Sequence, residues 1–219
     1  TNLYYLESAD WGKSWQTMDG KNPKLPLTER ENIALVKDFT SSKLNNYLLD
    51  VNLDEDGKPL ILSVSSKGPQ PGPQNGARDW HFFYTDKKTN TWKSTVITSS
   101  DSNYDMGSIY AEGKNKLRVI GPTATGPQAY NPGGDVVSWL SKDYGKTWKI
   151  SKQLTKNSER NHSYVRKPNN ASDDFYGFWA DGNGRKPSES NLYFTNKKGD
   201  VFMLPRTMTG DEASVEKIK

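Results

Sequence analysis

Asn161-His162-Ser163-Tyr164-Val165-Arg166 brings an imidazole, a phenol and a guanidinium together in one short segment. The imidazole of His162 can take up or release a proton near neutral pH, which makes it a candidate general acid or base. Tyr104 stands in the matching place one repeat earlier, in Asn103-Tyr104-Asp105. A Tyr, a His and an Arg converging on one centre suit β-elimination at a uronic acid. Arg neutralises the carboxylate, one group removes the C5 proton, and another protonates the leaving oxygen. The candidate catalytic residues are therefore His162, Tyr104, Tyr164 and Arg166. The second histidine, His81, lies within a strand pattern and reads as structural.

Hydrolysis would need a different set, two carboxyl groups about 5–5.5 Å apart for retention or about 6.5–9.5 Å for inversion. Asp50, Asp79, Asp105, Asp135 and Glu189 are available, each also suited to a turn or a solvated surface. The sequence does not say which of them approach one another. No metal cluster is evident: there is no cysteine, and the two histidines are far apart. The expectation is no cofactor. An oxygen-only Ca²⁺ site is the one metal site the composition leaves open, without positive support.

These residues are positioned by a repeat. Ser8-Ala9-Asp10-Trp11-Gly12-Lys13-Ser14-Trp15 recurs as Ser141-Lys142-Asp143-Tyr144-Gly145-Lys146-Thr147-Trp148, each copy following a short run of strand formers. In such a turn Asp accepts backbone N–H bonds from residues further on. Gly takes a backbone angle other residues avoid, and Trp buries a large ring on neighbouring strands. Degenerate copies occur at Asp86–Trp92 and Asn196–Asp200. A second repeat, Asn46-Tyr47, Asn103-Tyr104 and Asn161-His162, stands where each set of strands begins, at spacings of 57 and 58 residues.

Read outward from the turns, the chain is all-β, with units of four antiparallel strands, A to D. A half-unit at 1–19 has strand C at Leu3–Ser8 and strand D from Trp15, and a long Lys-, Pro- and Asn-rich connection follows from Gly20 to Asn46. Full units are expected at about 47–98, 104–154 and 162–206, and 209–219 reads as a surface extension without strand pattern. Segments with a sustained apolar period near 3.6, the mark of a helix, are absent.

The loops joining strands B and C are long and rich in Gly and Pro: Lys67–Asp79, Pro122–Asp135 and Asp181–Ser190. They are seeded with hydrogen-bonding groups and form a polar groove better suited to a sugar chain than to an apolar metabolite. With the strand-A entrances, they supply the candidate substrate-binding residues Arg78, Asp105, Tyr130, Asn131, Arg185 and Glu189.

The bulk numbers agree. Of 219 residues, 32% are hydrophobic but 11% are aromatic, as expected of small sheets pinned by rings. Thirty Lys and Arg against 26 Asp and Glu give a net +4, with no basic run that would suggest nucleic acid. No stretch approaches the ~20 apolar residues of a membrane-spanning helix.

The octapeptides, the unit spacing and the phrases Asn103–Ser108, Tyr130–Gly134 and Phe178–Gly182 together resemble the bacterial BNR, or Asp-box, repeat family with its sialidase-like β-propellers. That family includes polysaccharide lyases and glycosidases. The resemblance implies a β-propeller of which about three and a half blades are present here, as a C-terminal part. The remaining blades would come from further sequence or a second chain. In such a propeller the A–B and C–D turns share one face, and the D–A and B–C loops share the ligand face. The octapeptides are then structural. The resemblance further implies an extracytoplasmic location, periplasmic or secreted. Its implied activity is cleavage of an acidic, uronate- or sialate-containing glycan, by elimination or hydrolysis. The alternative is a non-catalytic carbohydrate-binding or scaffold propeller.

Overall fold

The computed structural model describes residues 1–218, and all of its regular structure but one short 3₁₀ turn at Pro73–Asn75 is β. Four antiparallel sheets follow one another along the chain. The first has two short strands, β1 (Leu3–Tyr4) and β2 (Leu35–Lys37). The second contains β3 (Asn45–Leu53), β4 (Pro59–Ser66), β5 (Arg78–Asp86) and β6 (Thr91–Ser100) in sequence order. The third contains β7 (Ser108–Gly113), β8 (Lys116–Ala124), β9 (Asp135–Ser141) and β10 (Lys149–Gln153). The fourth contains β11 (Asn161–Arg166), β12 (Gly177–Gly182), β13 (Leu192–Thr195), β14 (Val201–Met203) and β15 (Glu216–Ile218).

The sheets pack face to face, and period-2 alternation decides which neighbour each side chain meets. Every residue of β4 is buried. Leu60, Leu62 and Val64 face the third sheet with Trp80, Phe82, Ile109, Leu117 and Val119, whereas Ile61 faces the first sheet with Leu3, Phe39 and Phe83. A third cluster joins the third and fourth sheets through Tyr110, Ile120, Val136, Val165, Trp179 and Val201. A strand covered on both faces reads as a continuous apolar run, as Leu60-Ile61-Leu62 does.

The first strands of the three larger sheets meet one another. Asp50 of β3 accepts from the Ile109 N–H of β7 at 2.7 Å, and Asn52 donates to the Ile109 carbonyl at 2.9 Å. The Val165 N–H of β11 reaches the Met106 carbonyl at 3.1 Å, and Arg166 Nη1 reaches the Leu49 carbonyl of β3 at 3.0 Å.

Both full octapeptides close the same network. Asp10 Oδ1 accepts from the Ser14 N–H at 2.8 Å and Oδ2 from the Ser14 hydroxyl at 2.7 Å. Asp143 does the same with Thr147 at 2.9 and 2.6 Å. These bonds hold both carboxyls below the usual range; burial opposes them at Asp143.

Two expectations about the ends change. The half-unit is not a Leu3–Ser8 strand paired with one from Trp15. Leu3 and Tyr4 pair instead with Leu35–Lys37, inside the expected long connection, and the octapeptide hairpin retains one bridge, Glu7 to Gln16. The expected strandless extension contributes β15, paired with β14 and packed through Ile218 on the last core cluster.

Candidate functional site

Each larger sheet is a simple meander, so its β–β connections alternate between two faces. On one face the long loops converge. A cleft of about 240 Å³ is lined from Pro69 and Pro71 after β4, Ser102–Tyr104 before β7, Tyr130 and Pro132 after β8, and Gly184 and Arg185 after β12. Three successive sheets thus contribute to one concavity.

Asparagine clamps hold these loops. Asn103 donates from Nδ2 to the Gly68 and Pro69 carbonyls at 3.1 and 3.2 Å. Its Oδ1 accepts from Arg78 Nε at 3.3 Å. Asn161 treats the next loop likewise: Oδ1 accepts the Gln128 N–H at 3.0 Å, and Nδ2 reaches the Gly133 carbonyl at 3.2 Å. Asn103 and Asn161, at the entrances to the third and fourth sheets, therefore each tie down the β–β loop of the sheet before. The repeat of Asn at 57- and 58-residue spacing is the sequence signal for these positioning residues.

The structure brings four of the predicted site residues to the cleft wall: Arg78, Tyr104, Tyr130 and Arg185. Tyr104 is half-exposed and stands edge-on to Tyr47, centroids 5.6 Å apart. Tyr130 takes a left-handed backbone, φ 61°, with its N–H held by Asp101 at 2.9 Å. Arg185 is aimed across the cleft by Asn131, whose Oδ1 accepts from Nε, and by the Tyr130 carbonyl, which accepts from Nη2 at 3.1 Å. Asn131 thus acts behind Arg185.

Several expectations are corrected. Arg78 is 0% exposed, and its guanidinium donates to the Gly72, Gly76 and Gln70 carbonyls; it folds the proline-rich loop. Asp105 is also fully buried, accepting from the Ser102 and Gly133 N–H groups; burial raises its pKa to about 8. It braces two loops beneath the cleft and is out of a ligand's reach.

His162 is 3% exposed and lies outside the cleft. Its Nδ1 accepts from Trp179 Nε1 at 2.9 Å, so Nε2 carries the proton and donates to Ser158 Oγ at 2.9 Å. Ser158 in turn donates to Asp135. With both nitrogens engaged, the ring is an internal link; burial lowers its pKa, against the nearby Asp181 and Asp135 carboxylates. Tyr164 and Arg166 are also absent from the cleft lining. Tyr164 is exposed on β11 with φ 56°, and the Arg166 guanidinium lies 5.9 Å from the centre of its ring. Glu189 is drawn off by Arg206 at 3.0 Å and Arg160 at 3.9 Å. His81 is bonded to Ser65 Oγ at 2.8 Å.

No carboxyl group lines the cleft among the described residues. The other acids named as candidates are engaged: Asp50 by Ile109, Asp79 by Ser99, and Asp135 by Thr155 and Ser158. Among the described residues no three His, Asp or Glu side chains gather as a metal site. No described helix is long and apolar enough to cross a membrane.

No protein-family model matches the chain, and no curated protein sequence matches it. Solved structures do. A polysaccharide lyase of family PL25, an ulvan lyase, superposes with a TM-score of 0.62 at 16% identity over 90% of this chain. The same lyase bound to -[GlcA(1-4)Rha3S]- gives the same values. An α-L-arabinanase of Penicillium chrysogenum, complexed with arabinobiose, gives a TM-score of 0.46 at 15% identity, over 90% of this chain and 55% of its own. The chain spans 43% of the lyase's length.

Proposed function

We propose that the sheets are blades of a β-propeller and that the loop cleft holds an acidic polysaccharide for cleavage by β-elimination. The observation that carries this reading is the convergence of Tyr104, from the connection into the third sheet, Tyr130, from a loop of the third sheet, and Arg185, from a loop of the fourth, on a cleft that no carboxyl group lines among the described residues. Two-carboxylate hydrolysis has no pair there to use, whereas elimination needs a cation and proton-transfer groups. The likeness to a lyase solved with a glucuronate-containing oligosaccharide supports the same substrate class.

In this reading Arg185 pairs with the uronate carboxylate, which lowers the cost of charge developing at C5. Tyr104, acting as its phenolate, takes the C5 proton and becomes the phenol. The electron pair of that C–H bond becomes the C4=C5 double bond as the C4–O bond breaks. Tyr130 returns a proton to the departing glycosidic oxygen. Arg78, Asn103, Asp105 and Asn131 hold the loops in register.

The test follows ultraviolet absorbance of the unsaturated product on uronate-containing polysaccharides. Tyr104→Phe keeps the ring and its contact with Tyr47 but removes the hydroxyl. It should lower turnover by about 10²–10⁴-fold, the usual worth of a positioned acid or base, with the melting temperature unchanged. Turnover at the parent level in Tyr104→Phe rejects the assignment of the base. New reducing ends without absorbance reject elimination.

A further inference from the structure

The face opposite the cleft carries an unexplained concentration of lysine. The four β–β turns descending from the octapeptide contain Lys13, Lys87 and Lys88, Lys142 and Lys146, and Lys197 and Lys198. The two degenerate turns share Lys-Lys although they lose other parts of the motif. A turn needs its Asp, Gly and Ser for closure; nothing in that geometry calls for lysine.

Between the second and third sheets the turns enclose a recess of about 550 Å³, floored by Tyr84 and Tyr144 and walled by Lys87, Lys88, Lys142 and Lys146. Tyr144 closes the floor, donating to Asp54 Oδ2 at 2.5 Å and standing edge-on to Tyr84. Lys87 is spoken for, at 2.6 Å from Asp56 and 4.6 Å above the Tyr144 ring. Lys88, Lys142 and Lys146 are exposed, and among the described residues none forms an ion pair within 4.0 Å. The recess's own acids, Asp86 and Asp143, are held by turn hydrogen bonds, Asp86 from the Lys88 and Thr89 N–H groups and Asp143 from Thr147, and keep their negative charge. Four lysines against these two carboxylates leave the lining of one concavity with an excess of two positive charges, in a chain whose whole net charge is +4.

We propose that this recess is a second binding site, for the sulfate or carboxylate groups of an anionic polysaccharide, that anchors the polymer on the face away from the cleft. The choice of a glycan rests on the function proposed above; the anion preference rests on the recess alone. Nucleic acid fits less well, because both floor rings are buried and offer no platform on which a base could stack. Lysines placed this way act as point charges, so the attraction is long-ranged and weakened by salt.

The experiment compares three proteins: the parent, Lys88→Gln/Lys142→Gln/Lys146→Gln, and a control with the same charge change elsewhere, at exposed lysines outside the four turns, Lys24→Gln/Lys37→Gln/Lys43→Gln. Each is titrated with polygalacturonate, dextran sulfate, neutral dextran, a short uronate oligosaccharide and a single-stranded oligonucleotide. The recess variant should bind both acidic polymers about tenfold more weakly at low salt, the sum expected of three exposed charge contacts. The control should bind near the parent level, and neutral dextran should not bind any of the three. The short oligosaccharide should be cleaved alike by all three, because turnover reads the cleft alone. Equal losses in the recess variant and the control would reduce the effect to net charge and overturn the site. Undiminished polymer binding by the recess variant would also overturn it, as would oligonucleotide binding as tight as the acidic glycans. Failure of the cleft reading shows separately, as a parent protein that binds acidic polymers but does not cleave the oligosaccharide.

Discussion

At the scale of single residues, the structure divides the chemically capable side chains by what already occupies them. Arg185 and Tyr104 keep exposed surface in the cleft, whereas Arg78, Asp105 and His162 spend their hydrogen bonds inside the fold. His162 gives this division a measurable consequence. Its folded-state pKa lies below the ordinary histidine value because burial disfavours the cation. As pH falls through about 6.5, the unfolded chain takes up a proton that the folded ring refuses, so the histidine's contribution to stability is present above that pH and lost below it. His162→Gln should cost about 2–3 kcal/mol near pH 7.5, through the Trp179 and Ser158 partners left unpaired. The gap from the parent should narrow toward pH 5.5, because only the parent carries the histidine. Denaturant unfolding at the two pH values measures it, and Asp105 titrates alike in both proteins and drops out of the difference. A gap that is constant with pH would mean that the folded ring takes up its proton as the unfolded one does, and a gap that widens toward pH 5.5 that the fold holds the ring protonated.

At the scale of elements, the two octapeptides form one turn in two settings. Tyr144 is buried against the second sheet, whereas Trp11 is fully exposed. Gly12 and Gly145 share a left-handed backbone, φ 84° and 81°, but a Cβ at Gly12 would meet Trp15 at an ordinary 3.6 Å, whereas one at Gly145 would collide with the Phe82 ring. Gly12→Ala should therefore cost only the backbone penalty, about 1–2 kcal/mol. Gly145→Ala adds overpacking of about 1–3 kcal/mol, and paired thermal melts should separate the two. The turn and its strands were legible in the sequence because Asp, Gly and the following Trp are local requirements. The first sheet was not: the Leu35–Lys37 partner of β1 lies across a long connection, and nothing local in a three-residue strand announces its pairing. The cleft was half legible for the same reason. Loop composition pointed to Tyr130 and Arg185, but whether Arg78 or His162 faces solvent depends on partners distant in sequence. The asparagine repeat was visible, yet its purpose was not. Asn103 and Asn161 each clamp a preceding loop, and Asn46 retains a buried Oδ1 without a partner.

At the scale of the whole molecule, the cleft exists only while three sheets hold their relative positions, because each contributes a loop and none encloses it alone. Trp80 sits where that dependence is greatest. It is fully buried between the second and third sheets, donates to Ser100 Oγ at 2.9 Å, and lies against Gly107 and Gly121. Gly107 ends the segment that carries Tyr104 and Asp105, so the indole backs the cleft wall from behind. Trp80→Leu should leave a void and an unpaired Ser100, costing about 2–4 kcal/mol. The loosened wall should also weaken oligosaccharide binding in the cleft. Phe39→Leu supplies the comparison: Phe39 packs with Leu3, Ile61 and Phe83 between the first two sheets, and the first sheet contributes no residue to the cleft lining. It should lower the melting temperature with oligosaccharide affinity unchanged. If the two substitutions lower affinity in proportion to the stability they remove, the cleft responds to global stability alone. If only Trp80→Leu lowers it, the packing between the second and third sheets sets the geometry in which Tyr104 meets the substrate.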